Sequence, residues 1–318
     1  MSPTQQGPDP AQSDGPHAGV VPRVAGRPIP PHRLGRLREP EHGGFQPQVW
    51  QESLARDGYL LLRSVLDPAA VRRARLDVLE QLADAGEIAD PVEQGIVSGR
   101  SLRAERYPDL GAFWRAVCEL PRLRALSHGA GLAGVMGGLL GQPVVPFDFL
   151  WLRAITEGRA TPLHFDHVYM NRGSSRVCTA WIPLGDVPVE AGPLAVVEGS
   201  HRYTDLIERY RGVDVDRHAM PGSFPEDALA FVESRDTRLL TTDFRAGDVL
   251  VFGMFTLHGS LDNQWGGGRV RLSCDARWQP LDDARDDRWF GDPPAAHHGQ
   301  GYGGLNGARP LGAAHRDR

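Results

Sequence analysis

The stretch Arg269-Val-Arg-Leu-Ser-Cys-Asp-Ala-Arg-Trp278 constrains the fold of this chain more than any other. Its residues alternate strictly. Val270, Leu272, Cys274, Ala276 and Trp278 fall on one side, and Arg269, Arg271, Ser273, Asp275 and Arg277 on the other. Alternation with period 2 is the side-chain repeat of a β-strand, so the stretch predicts a long strand with an apolar and a polar face. Such a strand either turns its polar face to water or lines a charged, ligand-filled barrel. Shorter strand-like runs precede it: Val144–Leu152, Arg176–Ile182, Leu194–Val197 and Asp248–Phe252. Ahead of these the texture is helical. Asp67-Pro68 reads as an N-cap followed by a first-turn proline, and Val71, Arg75, Val78 and Leu82 keep helical spacing. A further helical region spans Leu110 to Leu140. Helices first and strands after predict an α+β domain around an antiparallel barrel or sandwich.

The two ends differ from this middle. Residues 1–45 and 291–318 are rich in Gly, Pro, Arg and His, and predict a flexible leader and a flexible tail around a single domain over 46–290. Within the domain, 203–238 reads as an insert, with a capping box Ser223-Phe-Pro-Glu226 ahead of an apolar helix face. Its place between core strands predicts a lid. A formal charge of -5 and scattered arginines argue against nucleic acid as partner. Three widely spaced cysteines show no metal-ligand spacing, and no apolar run approaches a membrane span. A cytoplasmic enzyme of small molecules, without membrane or obligate protein partner, is the expectation.

Function enters with Thr161-Pro-Leu-His-Phe-Asp-His167, where His164 and Asp166 stand two apart. In extended backbone an imidazole and a carboxylate then share one face. With 12 His in the chain, one such pair carries little weight by itself. His258 closes the apolar run from Gly247, placed as a strand-end imidazole facing a barrel interior. Two His and one carboxylate form the donor set of non-haem Fe(II) oxygenases.

His164-Phe-Asp166, Gly192-Pro-Leu-Ala-Val-Val-Glu-Gly-Ser-His201, and His258-Gly-Ser with Arg269 eleven positions on, in that order, resemble the phytanoyl-CoA dioxygenase family. The resemblance runs from about Asp57 to Trp278. It implies a double-stranded β-helix (jelly-roll, cupin-like) core with flanking N-terminal helices. It implies Fe(II) and dioxygen as the reactive pair, 2-oxoglutarate as cosubstrate, and ascorbate as an accessory reductant. It also implies His164, Asp166 and His258 as iron ligands and Arg269 as anchor for the far carboxylate of 2-oxoglutarate. Arg271 shares that face and is the alternative anchor, because Gly266-Gly-Gly268 can shift the register. His201 reads as a capping or packing residue rather than a ligand. Asp166 occupies the position that halogenating relatives leave open, which argues for oxygenation of a small organic metabolite, hydroxylation first. The competing readings are a jelly-roll binding protein without turnover and a metal-dependent hydrolase. The latter lacks a general base near His258.

Overall fold

The computed structural model describes residues 19–41, 44–218, 222–224 and 227–312. Ten strands build two sheets. The larger has six: β4 (Tyr59–Leu62), β10 (Val249–Gly253), β7 (Cys178–Pro183), β12 (Arg271–Pro280) and β5 (Val144–Pro146) in that spatial order, with β6 (Trp151–Ile155) also on β12. The smaller runs β11 (His258–Ser260), β8 (Leu194–Val197), β9 (Leu239–Thr241) and β3 (Leu34–Arg36). Every pairing in both is antiparallel except β3 with β9. A two-residue hairpin, β1 (Arg23–Val24) on β2 (Arg27–Pro28), stands apart.

Alternation along the strands sorts the cores. Leu60 and Leu62 of β4, Val249 and Val251 of β10, and Leu272, Cys274, Ala276 and Trp278 of β12 join the helices in the largest apolar cluster. Those helices are α1 (Pro47–Asp57), α2 (Pro68–Asp84), a single turn α3 (Arg103–Arg106), α4 (Leu110–Cys118), α5 (Pro121–His128) and α6 (Ala130–Leu140). Asp67 caps α2 as its sequence predicts, accepting from the amides of Ala69 and Ala70. Residues of opposite parity, Tyr59, Leu61, Trp181, Leu250 and Phe252, meet Leu194, Val196 and Leu240 of the smaller sheet. The two sheets therefore face each other. One part of the space between them is apolar. Elsewhere it receives the polar face of β12, on which Arg271, Ser273, Asp275 and Arg277 are all buried. The solvated alternative for that face is excluded.

Several expectations from the sequence are corrected. The leader does not extend to residue 45: β3 is hydrogen-bonded into the smaller sheet, and Ile29 and Leu37 are buried. The expected tail is packed as far as 312. Its Tyr302 stacks on Phe149 with ring centroids 4.3 Å apart, and its carbonyls at Gly307 and Arg309 accept from the buried Arg103 guanidinium. Apolar contact missing from the local composition is supplied here by distant elements. Residues 1–18 and 313–318 lie outside the described residues. The predicted strand 144–152 is two strands: Phe147 still donates to the Arg277 carbonyl of β12, but Phe149 turns away to donate to the Trp289 carbonyl.

The described part of the insert packs beside the smaller sheet rather than over the site cavity. Its helices α7 (Thr204–Arg211) and α8 (Ala228–Ser234) contribute Leu206, Tyr210, Leu229 and Val232 to an apolar cluster with Ala195, Val197 and Leu239, on the outer side of the smaller sheet. Asp227, not Ser223, caps α8, accepting from the amides of Leu229 and Ala230. Pro225 and Glu226 of the predicted capping box lie outside the described residues.

Candidate active site

His164 and His258 face each other as an antiparallel bridge. The His164 amide donates to the His258 carbonyl at 2.9 Å, and the His258 amide to the His164 carbonyl at 3.2 Å. Residues directly opposite in such a pair put their side chains on one face, and the two imidazole centroids are 4.2 Å apart. The backbone at Thr161 and Pro162 comes so close to Gly259 that a Cβ there would lie 2.7 Å from the Thr161 carbonyl oxygen. Glycine after His258 is thus a condition of the pairing. His258 does not end the strand that precedes it. That strand stops at Gly253, and the chain crosses to open β11 in the other sheet. Asp166 opens a short 3-10 turn rather than continuing a strand.

The three side chains are buried, and their donor atoms lie within 4.8 Å of one another. Nδ1 of His164 donates to the Pro162 carbonyl and Nδ1 of His258 to the Thr256 carbonyl, each at 2.9 Å. A carbonyl only accepts, so the hydrogen sits on Nδ1 and each Nε2 keeps its lone pair. Both lone pairs face the same carboxylate oxygen, Oδ1 of Asp166, at 3.7 Å from His164 and 3.9 Å from His258. Burial and the neighbouring His258 push the His164 imidazole down to about 3, and burial also lowers His258. Burial opposes ionisation of Asp166, but the Arg277 guanidinium, helped by the Thr179 hydroxyl, outweighs it and holds the carboxyl well below its usual range. Two neutral imidazoles and one carboxylate, on one side of a cavity, fit a divalent iron.

Arg153, Trp181, Arg271 and Asp275 line the cavity beside the two histidines. Arg271 is almost wholly buried. It donates to Ser273 Oγ at 2.7 Å, while its Nε has no partner. Burial and the charge of Arg153 bring its pKa down to about 9. A buried guanidinium with an unused donor fits an absent anion, since leaving the group unpaired is costly. Arg269 stands elsewhere. It precedes β12, is only half-buried, and rests its guanidinium 5.7 Å from the Trp265 ring. The expectation that Arg269 enters the cavity is corrected to Arg271, two residues on and on the same strand face. Nor is β12 adjacent to the strand of His258, since β11 pairs with β8. His201 donates to the Ala55 carbonyl and packs on Gly58, away from the site.

The sequence reading left Arg153, Thr179 and Tyr169 unremarked. Thr179 donates to Asp166 Oδ2, Arg153 pairs with Asp275, and Tyr169 meets the His164 ring edge-on at 5.8 Å. Period 2 places Thr179 in step with Trp181, but that alone does not set it apart from the other inward positions.

Comparison with known proteins decides the family. The phytanoyl-CoA dioxygenase family profile matches residues 54–270, more than half of the chain. The chain belongs to the phytanoyl-CoA dioxygenase family. Membership makes it an oxidoreductase of the iron- and 2-oxoglutarate-dependent oxygenase class. The 1-deoxypentalenic acid 11-beta-hydroxylase of Streptomyces arenae is 30% identical over 240 residues, covering 72% of this chain and 79% of that protein. Its Streptomyces exfoliatus counterpart is 29% identical over the same length. Among solved structures, EctD from S. alaskensis gives a TM-score of 0.52 at 20% identity, covering 86% of this chain and 92% of its own. The carbocyclase SnoK from nogalamycin biosynthesis gives 0.51 at 23%, covering 79% and 89%. At those identities the two structures speak for the fold alone. No helix among the described residues is long and apolar enough to cross a membrane.

Proposed function

We propose that this oxygenase hydroxylates a small organic metabolite, one oxygen atom of dioxygen entering the product and the other entering succinate as 2-oxoglutarate loses CO2. The observation that carries this reading is the meeting of His164, Asp166 and His258 beside a buried Arg271 with an unused donor. On this reading the two facing sheets are the halves of a double-stranded β-helix. His164 and His258 would hold the iron through Nε2 and Asp166 through Oδ1. Bound iron supplies the activation of dioxygen that no side chain can provide. Arg271 would hold the far carboxylate of 2-oxoglutarate, for which its planar fork and its charge at neutral pH suit it. Trp181 and Leu194 wall the cavity and keep water from the reacting groups. The hydroxylases among the relatives support hydroxylation as the outcome.

The test is incubation with Fe(II), ascorbate, 2-oxoglutarate and a metabolite extract, following oxygen uptake and succinate and searching for products heavier by one oxygen. Uptake that requires 2-oxoglutarate and disappears in His164→Ala is expected. Product formation without 2-oxoglutarate would overturn the proposal, as would wild-type protein that takes up no oxygen beyond the His164→Ala control.

A further inference from the structure

We propose that Thr179 and Arg277 are positioning residues that hold Asp166 to coordination through a single oxygen. The inference rests on the iron-site reading above. Thr179 on β7 and Arg277 on β12 are direct cross-strand partners. Both are buried and reach Asp166 from the inner face of the larger sheet. The Thr179 hydroxyl donates to Oδ2, while Arg277 donates to Oδ1 at 3.0 Å. Arg277 is itself fixed from behind, its guanidinium 3.9 Å from the Trp151 ring and its second nitrogen 3.5 Å from Asp275. The carboxylate is thus gripped at both oxygens, and Oδ1 is turned toward the two Nε2 atoms, at 3.7 and 3.9 Å.

The consequence is a count of coordination positions. In an octahedral site, two imidazoles and a one-oxygen carboxylate leave three positions, enough for a chelating 2-oxo acid and dioxygen together. A carboxylate offering both oxygens leaves two, which the oxo acid fills by itself, so that dioxygen has no position of its own. Oδ2 is the oxygen that has to be restrained, and Thr179 is the group that restrains it. Arg277 fixes the plane of the carboxylate from the other side. Because the clamp is a register pair, a one-residue slip of β12 against β7 would send Arg277 to the opposite face and leave Thr179 without it.

The experiment uses the full chain with Co(II) in place of iron, titrating metal first, 2-oxoglutarate second and azide, as an occupant of the dioxygen position, third by calorimetry. Thr179→Val keeps the side-chain shape and removes only the hydroxyl donor. Expected are Co(II) and 2-oxoglutarate affinities equal to or above wild type, with azide affinity weakened roughly tenfold, the scale of one lost hydrogen bond. Thr179→Ser should restore the azide affinity. Parallel weakening of metal and 2-oxoglutarate, as simple loss of packing gives, overturns the clamp; so does a Thr179→Val protein indistinguishable from wild type. Should the valine variant not fold, Thr179→Ala takes its place with the same expectations. Wild-type protein that fails to bind Co(II), or binding that survives in His258→Ala, overturns the iron site itself and the clamp with it.

Discussion

Arg271 and Arg269 stand two apart with the same parity, and only the position of the strand start separates them. Arg269 still belongs to the Gly-rich turn, with Trp265 beside it, whereas Arg271 is paired with Ile155 of β6 and has the cavity in front. Replacing Arg271 by Ala should raise the 2-oxoglutarate concentration needed for succinate release by ~10- to 100-fold, the worth of a charge-assisted hydrogen bond. Replacing Arg269 by Ala should change it little. The reverse ranking would return the anchor to Arg269. Asp166 gives a second test at this scale. Asp166→Gly removes the acceptor of both Thr179 and Arg277 and leaves a buried guanidinium without its hydrogen-bond acceptor, at a cost of about 3 kcal/mol. Succinate release should be largely lost. Chloride should raise the melting temperature of this variant more than that of wild type, because an anion can now sit beside Arg277. A variant with wild-type succinate release would remove Asp166 from the site.

At the scale of the element, β3 shows how strongly the smaller sheet depends on its edge. Leu34, Gly35 and Arg36 pair in parallel with Leu239, Leu240 and Thr241, and the Leu37 amide continues the ladder to the Thr241 carbonyl. Removing residues 1–38 would open the β9 edge and expose the sites now filled by Ile29 and Leu37, at roughly 1.5–3 kcal/mol for each side chain. Denaturant unfolding should show that loss, and the open edge should promote association of the truncated protein. Undiminished stability would mean that this segment merely rests on the sheet. The insert acts at the same scale. The Phe224 amide donates to the Leu163 carbonyl, and Ser223 pairs with His164, so the insert braces the ligand-bearing strand from the side away from the site.

Over the whole molecule, acid stability follows from imidazoles kept neutral by burial. His164 is held down to about 3, and burial with the neighbouring Arg124 holds His128 down to about 4, against an ordinary value of 6.5. Between that value and the lowered ones, the unfolded chain binds protons that the native state refuses. Stability is therefore fully present above about pH 6.5 and falls as pH falls, by up to about 1.4 kcal/mol per pH unit for each imidazole. Melting temperatures of the metal-free protein at pH 7.5, 6 and 5 should descend in that order. A flat profile would mean that these histidines are not held neutral.

What the amino-acid sequence determined by itself were the properties carried by short periods. Alternation placed β12 and its two faces, helical spacing and an N-cap placed α2, and the two-residue step between His164 and Asp166 put them in reach of one point. Tertiary structure decided what depends on partners distant in the chain. Whether the polar face of β12 meets water or a closed cavity is set by the sheet opposite, and local alternation is identical in both cases. That His258 opens β11 instead of ending the preceding strand depends on a crossover between sheets, to which the apolar run before it is indifferent. Residues 19–41 and 291–312 look unfoldable from their own composition, since they hold few large apolar residues. They are ordered because β9, Phe149 and Arg103 supply the hydrogen bonds and buried surface that these segments lack alone. Thr179 became visible only through the register of β7 against β12, a relation between residues 98 positions apart that no period of two can carry.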